Sequence, residues 1–214
     1  TYEPEFVEVL EFGFKTNFMN NKLRINGAIF QTDYEDLQVQ VFNSVAPVTQ
    51  NIGAATIDGL ELELMASPGD GWFFEASLAL LDASYDDIDT SITLIGKNFD
   101  FERVPETTVS LGVSKEILIS NLGIVTLRAD WSYRSETFND AYNTKILETD
   151  SYDLFDASVR WSNPQEDWTV VLSGRNLTNE EFLVTGVYGT AFQSYEGTYN
   201  RGRQWQLEVR KHFK

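Results

Sequence analysis

The chain contains no cysteine, which removes disulfide frameworks, thiolate metal sites and cysteine nucleophiles together. Its one histidine, His212, sits near the end of the last predicted strand, and no Ser-His-Asp triad or histidine-rich metal centre can be assembled from it there. Positive charge is scarce: 16 Lys and Arg stand against 33 Asp and Glu, for a net charge of -17. That balance excludes a phosphate-backbone partner, and no nucleic acid is expected. No run of about eighteen apolar residues occurs, so no helix drawn from this sequence crosses a membrane.

The same absence leaves a membrane crossing by strands open, because alternating apolar and polar residues average out. A mean hydropathy of -0.27 is therefore no sign of solubility. Five prolines, fourteen glycines and 42% hydrophobic residues fit an ordered all-β unit, neither disordered nor fibrous. Aromatic residues reach 14%, mostly Phe and Tyr. Rings at that density suit the two interfacial girdles of a membrane barrel, or the aromatic core of a soluble β-protein. No basic-then-apolar leader stands at the start, and the abrupt entry Thr1-Tyr2-Glu3-Pro4-Glu5 suggests a start inside a longer protein.

Alternation predicts nine strands, near 5–18, 22–42, 49–66, 72–86, 104–117, 122–137, 151–161, 167–179 and 199–213. In 122–137, Leu127, Ala129, Trp131 and Tyr133 share one face, while Thr126, Arg128, Asp130, Ser132 and Arg134 share the other. A soluble sandwich puts the apolar face in its core; a membrane barrel turns it to lipid and the charged face to a wet lumen. Length favours the barrel, since soluble strands have a mode near five or six residues and a tilted membrane strand needs about nine to eleven.

Connections alternate in size as well. Short turns fall at Asn20-Asn21, 67–71, Ser120-Asn121 and 162–166; longer loops fall near 87–103, 138–150 and 180–198. The joint near 43–48 breaks the alternation. Short turns on one side and long loops on the other are the outer-membrane arrangement, with the loops extracellular. Nine is an odd number that single-chain bacterial barrels avoid, so the expectation is an incomplete barrel, and residues 1–214 form one domain or part of one.

The final strand carries a motif: Arg201-Gly202-Arg203-Gln204-Trp205-Gln206-Leu207-Glu208-Val209-Arg210-Lys211-His212-Phe213. Trp205, Leu207, Val209 and Phe213 alternate with Gln206, Glu208, Arg210 and His212. With Gly202, the apolar set resembles the assembly signal of outer-membrane proteins, an edge strand offered to the barrel assembly machinery for β-augmentation. Lys214 departs from it, because the aromatic is usually last.

Further segments resemble the C-terminal part of TonB-dependent outer-membrane receptors: Tyr2-Glu3-Pro4-Glu5 followed by Glu11-Phe12-Gly13-Phe14-Lys15, Ile57-Asp58-Gly59-Leu60-Glu61-Leu62-Glu63-Leu64, and Val104-Pro105-Glu106-Thr107-Thr108. Gly174-Arg175-Asn176-Leu177-Thr178-Asn179-Glu180-Glu181-Phe182 is the most diagnostic of them. The resemblance covers essentially the whole chain. It implies about the last nine strands of a 22-stranded antiparallel barrel in the outer membrane of a Gram-negative bacterium. It further implies TonB-dependent uptake of a scarce nutrient, a ferric siderophore first among candidates, with cobalamin, haem and carbohydrates as rivals. The partners implied are outer-membrane lipid, the small-molecule ligand, and the TonB complex acting through an N-terminal plug region that this chain does not contain. A passive porin and a soluble β-sandwich binding module are the alternatives.

Site residues follow from position. Glu61, Glu63, Glu75, Arg128, Asp130, Asp156, Arg160 and Arg175 are expected on the lumen face, pairing across strands or with the plug. Arg134, Asp150 and Tyr152, near the extracellular ends, are the better ligand candidates. Tyr188, Phe192 and Tyr195, on a glycine-bearing loop, can stack on catecholates, sugars or a macrocycle, or pack on neighbouring loops. The stretch Asp82-Ala83-Ser84-Tyr85-Asp86-Asp87-Ile88-Asp89 has oxygens for calcium but lacks the glycine and terminal glutamate of an EF-hand, and is expected as a solvated loop. Glu61 and Glu63 share a strand face, a spacing too common in strands to argue for a glycosidase. No catalytic residue, metal or cofactor is expected.

Overall fold

The computed structural model describes residues 2–43, 46–90, 93–189 and 192–213. Thr1 and Lys214, both singled out above, lie outside them. Nine strands form one antiparallel sheet whose spatial order follows the chain. They are β1 (Phe6–Phe18), β2 (Leu23–Glu35), β5 (Gly53–Gly69), β6 (Trp72–Ile88), β7 (Thr107–Ile119), β8 (Gly123–Arg134), β11 (Tyr152–Ser162), β12 (Trp168–Arg175) and β15 (Gln204–Lys211). The remaining strands form three small hairpins or bridges at one end: β3 (Gln38–Asn43) with β4 (Ala46–Asn51), β9 (Thr137–Phe138) with β10 (Glu148–Thr149), and β13 (Leu183–Gly189) with β14 (Ser194–Tyr199). The sheet is one layer. A soluble sandwich needs a second sheet packed on the first, and none is present among the described residues.

Three expected strands are divided in the structure. The stretch 22–42 is β2 and then β3; 49–66 is β4 and then β5; 199–213 begins at the end of β14 and continues as β15. The breaks fall at Asp36, with a positive φ of 55°, and at Gly53, with φ 143°. The phase of the alternation changes at both points, from Tyr34 to Leu37 and Val39 and from Ile52 to Ala55 and Ile57, and the expected strands run across the change. At Gly53 a Cβ would stand 1.9 Å from the Asp87 carbonyl oxygen, beside a β-bulge at Ala54 and Ala55. Only glycine fits there. The exception at 43–48 disappears, because Asn43 and Ala46 belong to the paired strands β3 and β4 and the connection between sheet strands is the whole of 36–52. Short turns at 19–22, 70–71, 120–122 and 163–167 now alternate strictly with long loops at 36–52, 89–106, 135–151 and 176–203.

The turns are short because their residues tolerate left-handed backbone. Met19, Asn20 and Asn21 have φ of 53°, 56° and 66°, and Gly69-Asp70-Gly71 follows with 125°, 53° and 75°. In the 163–167 turn, Asn163 accepts from the Trp168 amide through its side-chain oxygen at 2.9 Å and from the Glu166 amide through its carbonyl at 2.9 Å.

Register assigns faces. Phe12, Ile29, Leu60, Leu80 and Thr107 follow one another across five strands, and Leu111, Trp131 and Phe155 across three. This face is apolar and exposed, with Phe12 at 74% and Leu111 at 49%. On the opposite face, Glu61 lies across from Ala28 and Ala79, and Arg128 across from Ser114 and Ser158. Near the short turns, Lys115 sits 4.8 Å from the Trp72 ring and Lys211 4.9 Å from the Trp168 ring, while Trp131 and Phe155 stand 6.4 Å apart further up. Rings thus border the apolar band at two levels.

The buried hydrophobic core lies at the long-loop end, not under the sheet. Leu37, Ile52, Ala55, Tyr85, Ile88, Ile95 and Ala141 cluster there, with Phe101 stacked on Tyr85 at 4.3 Å. Asp82–Asp89 therefore does not form a solvated loop: it is mostly the upper end of β6, where Tyr85 and Ile88 enter this core and the Asp86 carboxylate accepts from the Thr56 hydroxyl at 2.7 Å.

Candidate functional site

The polar face is organised by cross-strand pairs. The Arg128 guanidinium binds the Glu75 carboxylate and donates to Asp130 at 2.6 and 2.9 Å, joining β6 to β8 across β7. Gly112 of β7 makes this possible, because a Cβ there would stand 2.7 Å from Glu75 Cγ and 3.0 Å from Asp130 Oδ1. Glu63 accepts from Asn26 Nδ2 at 3.0 Å. Glu11, Lys15, Glu61 and Glu63 surround a recess floored by Gly13 and Ala28. Asp156 accepts from the Asn176 amide at 2.8 Å.

The diagnostic Asn-Leu-Thr-Asn run is a clasp. Asn176 and Asn179 have φ of 50° and 60°, and Asn adopts this left-handed region more readily than most residues. The Asn176 side chain accepts from the Glu180 amide at 2.7 Å and donates to the Glu180 and Arg201 carbonyls at 2.8 and 3.2 Å. The Asn179 oxygen accepts from the Arg203 amide at 2.9 Å. A Cβ on Gly202 would lie 2.9 Å from that oxygen, which explains the glycine. The clasp closes the base of the last long loop, from which the β13–β14 hairpin projects.

That hairpin meets the other loops. Asn139 donates to the Leu147 carbonyl and the Thr149 hydroxyl at 2.8 Å each, and Thr149 donates to the Leu183 carbonyl at 2.8 Å. The Arg103 amide donates to the Phe138 carbonyl at 2.9 Å, and its guanidinium to the Thr185 hydroxyl at 3.1 Å. Between these loops lies a cavity of about 330 Å³ lined by Glu102, Arg103, Asp140, Tyr142, Tyr188 and Tyr195 among others. Tyr188 and Tyr195 are tilted neighbours 4.8 Å apart. Burial, and after it the nearby Asp140 carboxylate, pushes the Glu102 carboxyl above its ordinary range; Arg103 pulls the other way with less force than the burial.

Of the six residues expected to contact a ligand, the structure brings two together here, Tyr188 and Tyr195. Arg134 stands on the polar face at the top of β8, donating to the Arg103 carbonyl at 3.1 Å. Tyr152 stacks on Phe182 at 3.7 Å, and Asp150 and Phe192 are exposed and do not line the cavity. Glu102, Arg103, Asp140 and Tyr142 were not expected. They come from loops that long-range packing alone brings together, and no local pattern marks them.

A single antiparallel wall with an apolar outer face, a charged inner face and packed loops at one end defines a segment of a large β-barrel. The family described as TonB dependent receptor-like, beta-barrel matches residues 1–177, and the chain belongs to it. The probable TonB-dependent siderophore receptor PiuA of Acinetobacter baumannii is 26% identical over 222 residues, which cover 97% of this chain and 27% of that protein. Among solved structures, the ferric yersiniabactin uptake receptor FyuA of Yersinia pestis superposes with a TM-score of 0.79 at 19% identity, over 97% of this chain and 30% of FyuA. The siderophore receptor PiuA of Acinetobacter baumannii gives 0.75 at 24% identity, over 96% and 28%. The chain thus spans under a third of the length of these relatives.

Proposed function

We propose that residues 1–214 are the C-terminal portion of the barrel of an outer-membrane receptor that imports a ferric siderophore with energy delivered by TonB. The observation that carries the reading is the polarity of this wall: lipid-suited residues outside, ions inside, and four long loops packed around a tyrosine-lined cavity at one end only. Its siderophore-receptor relatives support the ligand. Tyr188 and Tyr195 are the ligand contacts in this reading, and Arg134, Asp150, Tyr152 and Phe192 are candidate contacts outside the cavity. Glu61 and Glu63, at the recess of the inner face, pair with cationic side chains of the N-terminal plug region, through which the TonB complex acts. The edge of β15, with Trp205, Leu207 and Val209 facing outward, then Phe213, serves the barrel assembly machinery, and the outer-membrane lipid covers the apolar face.

The test is uptake of iron-55 ferric siderophores by iron-starved cells. Deleting the full-length gene is expected to abolish uptake of at least one siderophore, and loss of TonB to abolish the same uptake. Transport that persists without TonB would instead assign a passive porin.

A further inference from the structure

We infer that the loop cavity selects a ferric chelate of zero or positive net charge, gripped through an ammonium or similar cationic group, over a polyanionic chelate. This rests on the siderophore reading and adds to it the ligand's charge class.

The cavity's own charges carry the inference. Among the described lining residues Arg103 is the only cation, and it is engaged: Nε stands 3.4 Å from Glu102 Oε1 and Nη2 donates to Thr185. Asp140 and Glu102 leave the lining net negative. Tyr188 and Tyr195 add ring faces, which attract cations through their quadrupole. Around the cavity the imbalance widens. The four long loops hold twelve carboxylates against five Lys and Arg, and of those five Lys97 and Lys145 pair with Asp87 and Glu148. Arg134 lies outside the lining and spends Nη2 on the Arg103 carbonyl. A mouth of one sign speeds arrival of the opposite charge and slows its own. The upward push on the Glu102 carboxyl has the same origin in part, since Asp140 raises the local negative potential that a bound cation relieves.

The experiment uses the full-length receptor in detergent micelles with three probes: a linear ferric trihydroxamate bearing a terminal ammonium, its N-acetylated neutral twin, and a trianionic ferric tricatecholate. The ammonium complex is expected to bind about tenfold tighter than its twin, with an association rate that falls as sodium chloride is raised. The double variant Glu102→Gln, Asp140→Asn is expected to bring the twins together. Because Asp140 also caps Thr144, the salt dependence of the wild-type protein is a readout that does not depend on that variant. Equal binding of the twins overturns the charge assignment. Tightest binding of the tricatecholate, lost in Arg103→Ala or Arg134→Ala, overturns it too and leaves the siderophore reading standing. Binding of none of the three overturns both.

Discussion

Glu102 illustrates how a loop residue can set a local stability. Its carboxyl is held above its ordinary range, first by burial and then by Asp140, with Arg103 opposing. A carboxyl raised in the folded state binds more protons there than in the unfolded chain. Its contribution is therefore fully favourable below the ordinary value of about 4.3 and declines as pH rises through the interval up to the raised value. At neutral pH the loop packing carries the whole penalty. Glu102→Gln removes the charge while keeping the shape, so loops 89–106 and 135–151 are expected to hold together better at pH 7. The Arg103 amide, which donates to Phe138, reports this: its hydrogen-exchange protection factor should rise in the variant and lose its dependence on pH. Unchanged protection at pH 7 would place the carboxyl in ordinary solvent.

Among the elements, the last long loop depends on one asparagine. Asn176 satisfies the Glu180 amide and two carbonyls while holding a left-handed φ of 50°. Asn176→Ala removes these bonds and puts a residue less suited to that conformation in its place. The expected loss is about 2–3 kcal/mol, from unsatisfied backbone groups and local strain. Limited proteolysis is the measurement: cleavage within 183–199 should accelerate in the variant while the sheet strands stay resistant. This element also shows what the sequence makes legible. Six of the nine sheet strands follow from alternation with boundaries a few residues adrift, because the period of two is written in each strand separately, and the other three expected strands run on into hairpin strands. The Asn-Leu-Thr-Asn run is visible as a motif, yet its role as a clasp depends on Arg201 and Arg203, which meet it only through the fold. The cavity was half legible: Tyr188 and Tyr195 stand out on a glycine-bearing loop, whereas Glu102 and Asp140 look like any other loop carboxylates. Asp150 and Phe192 do not line the cavity, because position near a strand end or loop tip does not fix which way a loop folds back.

For the whole molecule, the decisive property is the difference between the two faces of one sheet. Leu62, in the middle of β5, lies on the apolar face opposite Gly27 and Leu78; Ser77 of β6 lies on the polar face opposite Glu63 and Ser110. In a barrel wall the first meets hydrocarbon and the second a wet interior. Leu62→Lys is therefore expected to cost about 2–4 kcal/mol, the figure for a cation near the bilayer midplane. Ser77→Lys, placed beside Glu63, is expected to stay within about 1 kcal/mol. Both are read as shifts in the urea midpoint for folding of the full-length receptor into phospholipid vesicles. The lipid dependence sharpens the test. A sheet with its apolar face buried in protein would fold in plain buffer and show the same two costs with or without vesicles. A wall whose apolar face is finished by lipid needs the vesicles to fold, and the penalty at Leu62 should shrink when the bilayer is thinned enough to bring that position toward the interface.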